Sequence, residues 1–358
     1  MRAVALGAAL LVVVAGCGAL DDDPAATRPV ASGSPTITHT PSGDMLRIDG
    51  ELVRAVLIPD PSHGALYALT DTALYHYERG HWEPTGAGND GRWLLLDPSE
   101  PDRILRGDHP PCDGEGSGEP IPFDLSEDAG RRWRVLYQGV NIRPLAFDGS
   151  LPGVVYGSDC GLAISSSRGV KWERLRPFAG HDVVALAATG ERLYVIGVSS
   201  AGVSQLRAIN VTDPDQPVVG EPLLEIPGQA TLDTQGDRIV VGAVDAVYLS
   251  DDAGVTWASS RIGLEQVTTP PTPAPVRPPR GGEGEEYGIQ VVRIQPGNLH
   301  RIYAGAPHGL YVSQDDGVTW VRYTQVNFNA SVIDIQFALD GADLYVTTTA
   351  GVIVVPAP

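Results

Sequence analysis

The 358-residue chain is poor in basic residues, sulfur and aromatics. It has 25 Lys and Arg against 44 Asp and Glu, for a formal net charge of −19. Such a balance excludes electrostatic binding to nucleic acid and docking on anionic lipid. High acidity is mainly a solubility property, so it points to no substrate. There are three cysteines, at positions 17, 112 and 160, and their spacing fits no zinc pattern. No apolar run is long enough to span a bilayer. The longest, Ala3 to Val14 after Arg2, has the length and position of a signal-peptide core.

The strongest positive signal is a repeated phrase. It reads Ser250-Asp251-Asp252-Ala253-Gly254-Val255-Thr256-Trp257 and again Ser313-Gln314-Asp315-Asp316-Gly317-Val318-Thr319-Trp320. A near copy runs from Ser126 through Asp128 and Gly130 to Trp133, and a worn one from Ser165 to Trp172. Asp followed two residues on by Gly is hairpin-turn chemistry. The Asp side chain can accept from turn N–H groups, and the Ser and Thr hydroxyls can tie the two arms together. The Trp opens the next strand and buries a large ring. Each copy therefore reads as a corner satisfied within itself, and its Asp as structural.

Five of the six tryptophans fall at or near such corners: Trp82, Trp133, Trp172, Trp257 and Trp320, separated by 51, 39, 85 and 63 residues. A four-stranded propeller blade takes ~40–50 residues. The gap of 85 then holds two blades, one of which, Asp182 to Gly228, has lost its corner. The gap of 63 holds one blade and an insertion, 268–288, with a Pro-Pro-Thr-Pro-Ala-Pro run that is expected to be a disordered surface loop.

A second phrase recurs seven times as a short apolar strand: Ala65–Ala68, Arg103–Gly107, Val154–Gly157, Arg192–Val195, Arg238–Gly242, Arg301–Gly305 and Asp343–Val346. Turns such as Asp97-Pro98-Ser99 precede most copies. Seven blades fit the length, and the last, Val332 to Val355, has three convincing strands. The segment Met45-Leu46-Arg47-Ile48 is expected to supply the fourth and so close the ring without an exposed edge.

The phrase S-x-D-x-G-x-T-W resembles the Asp-box, or bacterial-neuraminidase (BNR), repeat. The resemblance runs from about Leu46 to the C-terminus and implies an all-β fold, a single β-propeller of seven four-stranded blades. It also implies that the boxes sit between the third and fourth strands, away from the ligand face. Its members include sialidases, two-propeller xyloglucanases, the photosystem II assembly-factor family and the sortilin ectodomain.

The N-terminal run ends in Val14-Ala15-Gly16-Cys17, which resembles a bacterial lipobox, with Cys17 as the acylated residue. Residues 1–17 are then a lipoprotein signal peptide, 18–44 a disordered tether with a reach of roughly 30 Å, and 45–358 the propeller. The expected location is the extracytoplasmic side of the bacterial membrane, held there by the lipid alone. Cys112 and Cys160 follow the second strands of adjacent blades, in loops that neighbour each other in a propeller, and an exported location allows a disulfide. Two buried thiols are the alternative. A metal site is disfavoured, because only His109 lies near.

In this fold ligands bind the face made by the second-to-third-strand loops and the starts of the inner strands. The loops offer Asp71, Asp108, His109, Asp159, Asp245 and His308, and the inner strands Arg54, Arg92, Arg143, Arg293 and Asp334. Arginine suits a bidentate grip on a carboxylate. The plainer expectation is that the loop aspartates are turn formers and that the arginines pair with them or with water in the channel. Sialidases carry an Arg-Ile-Pro string near the start, whereas this chain has Ile142-Arg143-Pro144, in another order and in the third blade. No Tyr–Glu pair stands out, and Glu is sparse on the ligand face. The expected function is non-catalytic binding of an envelope protein or glycan by a monomer, with no cofactor and no metal. A sialidase-like or other glycoside hydrolase is the alternative, and a plain scaffold a third reading.

Overall fold

A computed structural model describes residues 45–357 apart from 59–64, 79, 89, 110–111, 113–120, 138–140, 176–177, 190–191, 269–287, 308, 329 and 339–340. The signal peptide, Cys17, the tether, His308 and nearly all of the insertion lie outside the described residues.

The described residues form a seven-bladed β-propeller. A short strand β1 (Arg47–Ile48) leads into blade one, β2 (Glu51–Leu57), β3 (Tyr67–Thr70), β4 (Ala73–Glu78) and β5 (His81–Ala87). Blade two is β6 (Trp93–Leu96), β7 (Ile104–Gly107), β8 (Phe123–Ser126) and β9 (Arg134–Tyr137). Blade three is β10 (Arg143–Phe147), β11 (Val155–Ser158), β12 (Leu162–Ser165) and β13 (Glu173–Leu175). Blade four, which has no box, is β14 (Asp182–Thr189), β15 (Arg192–Val198), β16 (Val203–Asn210) and β17 (Val218–Pro227). Blade five is β18 (Thr231–Gln235), β19 (Arg238–Gly242), β20 (Val247–Ser250) and β21 (Ala258–Ser260). Blade six is β22 (Val291–Gln295), β23 (Asn298–Ala306), β24 (Gly309–Ser313) and β25 (Val321–Arg322). Blade seven has β26 (Val332–Phe337), β27 (Asp343–Thr348) and β28 (Gly351–Pro356). All neighbours pair antiparallel.

The seven apolar phrases are the second strands of the seven blades. Their central tyrosines Tyr67, Tyr156, Tyr194 and Tyr303 are among the largest fully buried side chains. Such strands pack on both faces, which explains their lack of polar alternation. Buried Tyr hydroxyls need partners. Tyr156 donates to Asp148 at 2.5 Å and Tyr67 to the carbonyl of Pro101 at 3.0 Å.

The ring closes through Met45 and Leu46. Met45 bridges Ile353 on β28, and the Leu46 N–H donates to the Val352 carbonyl at 2.7 Å. The next two residues turn away to pair with β2. One segment therefore edges blade seven and blade one together. Leu46, Ile48, Val352 and Val354 bury their side chains in the same cluster.

The boxes lie between third and fourth strands, at the end of each blade away from the second-to-third-strand loops. In blade five, Ser250 donates to Asp252 at 2.8 Å and accepts from the Gly254 N–H at 2.8 Å. Asp252 also accepts from the Thr256 N–H at 2.8 Å and its hydroxyl at 2.6 Å, and the Trp257 indole donates to the Gly254 carbonyl. Blade six repeats these bonds through Ser313, Asp315, Gly317, Thr319 and Trp320. In the worn copy Ser167 replaces the Asp and accepts from the Lys171 N–H at 2.7 Å.

Two features of the boxes go beyond a self-contained turn. Left-handed backbone is needed at both central positions, with φ of 58° at Ala253 and 91° at Gly254. In addition, each box glycine faces a leucine of the preceding blade. A β-carbon at Gly130, Gly254 or Gly317 would come within 2.9, 2.7 or 2.6 Å of Leu74, Leu223 or Leu249. Between blades five and six, Arg238 adds a bond to Asp316, the residue before the box glycine, at 2.6 Å. The corner is thus an inter-blade seam as well as a turn.

Candidate functional site on the loop face

Antiparallel order places the second-to-third-strand loops and the starts of the inner strands at one end of the ring. The candidates among the described residues lie in these loops and on the inner strands. Arg54 on β2 grips Asp71, from the β3–β4 turn, with Nε at 3.0 Å and Nη2 at 2.7 Å. Its Nη1 donates to the Ala350 carbonyl of blade seven at 3.1 Å. Arg54 holds the Asp71 carboxyl below the usual carboxylate range. Beside them Glu51 accepts from the Thr70 and Thr72 hydroxyls, at 2.7 and 2.5 Å, and these bonds lower its pKa.

Arg92 stands one residue before β6. It reaches Asp90 at 2.6 Å and Asp124 on β8 at 2.7 Å. Arg106, buried on β7, shares both carboxylates, at 3.2 and 2.8 Å, with its guanidinium 3.9 Å from the centre of the Trp133 ring. Two cations and two anions thereby offset one another in a half-buried cluster. A guanidinium over an indole face adds cation–π attraction.

Arg143 opens β10 and joins three blades. Its Nε donates to Asp108 of blade two at 3.0 Å, its Nη1 lies 3.7 Å from Asp182 at the start of β14, and its guanidinium sits 4.8 Å from the Trp93 ring. Arg293, at the middle of β22, donates to Asp334 of β26 at 2.6 Å. On the other side Asp233 of β18 accepts from the Ile294 N–H at 2.7 Å. Burial pushes the Asp233 and Asp334 carboxyls up, against the pull of Arg293.

The other loop candidates among the described residues are also engaged. Cys112 and Cys160 form a disulfide with their Cα atoms 5.2 Å apart, closing the loops of blades two and three onto each other. His109 is buried beside it, with Nδ1 3.8 Å from Cys112 Sγ and Nε2 3.6 Å from Asp182. Asp159 pairs with Arg174, and burial raises its carboxyl pKa. Asp245 accepts from the Tyr248 hydroxyl at 2.9 Å, and burial together with that carboxylate pushes the hydroxyl up to about 12.

Every inner-strand arginine named from the sequence therefore holds a carboxylate, but only Arg54 and Arg143 hold loop aspartates named with them; Arg92 holds Asp90 and Asp124, and Arg293 holds Asp334 of the next inner strand. Residues that the sequence reading passed over complete the network: Glu51, Asp90, Arg106, Asp124, Asp182 and Asp233. One of these omissions, and the Trp93 ring under Arg143, left a trace. Arg106 interrupts an otherwise apolar strand, and Trp93 is the one tryptophan away from the corners.

No protein-family profile matches the sequence, and no curated protein matches it. Solved structures match in fold. YCF48 from Cyanidioschyzon merolae superposes with a TM-score of 0.58 at 14% identity, covering 87% of this chain and 97% of that one. A structure of YCF48 bound to a D1 peptide gives 0.55 at 15% identity, covering 82% and 90%. The GH74 xyloglucanase from Xanthomonas campestris gives 0.57 at 17% identity over 84% of this chain, which spans about half (51%) of the enzyme's length. The chain is a seven-bladed β-propeller with Asp-box corners, and at these identities what it shares with the three structures is the fold.

Proposed function

We propose that the protein is a non-catalytic binding propeller, exported and anchored to the bacterial membrane by lipid on Cys17, that takes an envelope protein or glycan on its loop face as a monomer. The observation that carries this reading is the state of the candidate carboxylates. Asp71, Asp108, Asp159 and Asp245 are held respectively by Arg54, Arg143, Arg174 and the Tyr248 hydroxyl. Most glycoside hydrolases use two carboxyl groups flanking the scissile bond, one protonated and poised to donate. Asp71, gripped by the Arg54 guanidinium and held below the usual carboxylate range, is a poor proton donor. The same pairs give a rigid, charge-balanced platform, on which loop residues select the partner. YCF48, similar in fold, is seen with a bound peptide.

The alternative reading is a glycoside hydrolase. Asp159 favours it, being a loop-face carboxyl whose proton affinity burial raises.

Capture from envelope extracts tests the binding role. Asp71→Lys with Asp245→Lys on the loop face is expected to abolish capture of a partner that the unaltered chain retains. Val255→Glu with Val318→Glu, at exposed positions of the box corners, is expected to leave capture intact. Capture lost only in the second variant would move the site to the opposite end and contradict the reading.

A further inference from the structure

The disulfide corner holds more chemistry than a cross-link requires. One ligand atom each from His109, Cys112 and Cys160 falls within 4.8 Å of the other two. His109 is buried and turned so that Nδ1 faces the Cys112 sulfur while Nε2 faces Asp182 Oδ1. One nitrogen thus points at the sulfur, as a ligating nitrogen would, and the other stands in charge contact with a carboxylate 3.6 Å away, a separation longer than a hydrogen bond. Across a tetrahedral zinc ion a sulfur and a nitrogen donor stand about 3.6 Å apart, and Cys112 Sγ and His109 Nδ1 are 3.8 Å apart. Linear spacing hides the set, because 48 residues separate the two cysteines. The ring brings them together from neighbouring blades.

We infer that this corner is a redox-gated site for a zinc-type divalent cation, closed as the disulfide and opened by a dithiol reductant. The reductant gives two electrons and two protons to the Cys112–Cys160 bond and leaves as its own cyclic disulfide. The two thiols then lose their protons to solvent as the cation binds. Thiolate and imidazole donors select zinc over oxygen-loving cations such as magnesium and calcium. Three protein ligands leave the fourth position to solvent or to a nearby carboxylate. Asp159 precedes Cys160, its side chain is 4% exposed, and its Oδ1 accepts no hydrogen bond among the described residues. On the exported reading proposed above, the compartment keeps the disulfide as the resting form, so the site answers to reduction. Asp182 also faces Arg143, which couples metal binding to the three-blade junction on the loop face.

The test uses the full chain carrying Cys17→Ser, so that no third thiol competes. It is reduced with excess dithiol, freed of reductant under anaerobic conditions, and assayed for free thiols. It is then titrated with Co2+ alone and afterwards with Zn2+ alone. Expected are one Co2+ per chain, a thiolate-to-cobalt charge-transfer absorption that Zn2+ erases, and no such absorption in the oxidised chain. His109→Ala is expected to weaken Co2+ binding at least ~10-fold, and Asp182→Asn, which leaves all three ligands in place, by about 10-fold. Circular dichroism matching the parent chain confirms that each variant is folded, and if His109→Ala fails there, Asp182→Asn decides. A reduced chain without the absorption, a disulfide that resists dithiol in the folded protein, or an affinity unchanged by the variants overturns the inference.

Discussion

Gly317, in the corner of blade six, lies against Leu249 of blade five so closely that a β-carbon on the glycine would meet Leu249 Cδ1 at 2.6 Å. Its φ is 77°. Two separate demands therefore fall on one residue, a left-handed backbone and room for the neighbouring blade. Gly317→Ala should cost about 1–2 kcal/mol for the backbone and a further ~1–3 kcal/mol for the overlap. Urea unfolding is expected to show an unchanged slope and a midpoint lowered by that sum divided by the slope. Gly297→Ala, also at positive φ but with nothing within 4 Å, should lose only the backbone part. Equal losses at both sites would contradict the seam.

Ring closure rests on the Leu46 N–H and Val352 carbonyl, 2.7 Å apart. Leu46→Pro removes that donor and loosens a side chain that is 4% exposed. The expected loss is at least ~3 kcal/mol, with higher-order association as the edge of blade seven becomes available. Denaturant titration and light scattering check this. A variant as stable and monodisperse as the parent would show that closure does not depend on this segment.

The box aspartates should steepen acid unfolding. Hydrogen bonds from the Thr256 hydroxyl and N–H hold Asp252 at about 2, and the matching bonds lower Asp315. A carboxyl depressed in the folded state stabilises fully above its unfolded value of about 4. That contribution fades as pH falls toward the folded value. Asp252→Asn with Asp315→Asn keeps an acceptor oxygen but cannot titrate. Its stability should fall less steeply than the parent's between pH 4 and 2, while the two converge toward low pH. Parallel profiles would contradict the assignment.

Much of the architecture was legible in the sequence because local rules repeat. The box phrase encodes a turn whose bonds close within eight residues, and the second-strand phrase encodes a sheet buried on both faces. Seven copies of the latter counted the blades, including blade four, where an Asn210–Thr212 turn stands in place of the box. The face was legible as a roster of residues but not as a network. Arg143 meets Asp108 and Asp182 from blades on either side, and such pairing depends on the radius of the ring, which no local pattern states. The same holds for His109 beside two cysteines that are far apart in the chain. Gly254 was readable as a turn residue, whereas its contact with Leu223 comes from packing between blades.

The most direct measurement of the central claim is hydrolysis by the purified chain of a panel of fluorogenic glycosides, sialosides and xyloglucan oligosaccharides included. No release above the buffer blank is expected from any substrate, because the loop-face carboxylates are committed to their arginine and tyrosine partners. Release that Asp159→Asn, or an equivalent change at Asp71, Asp108 or Asp245, abolishes would contradict it and establish a glycoside hydrolase.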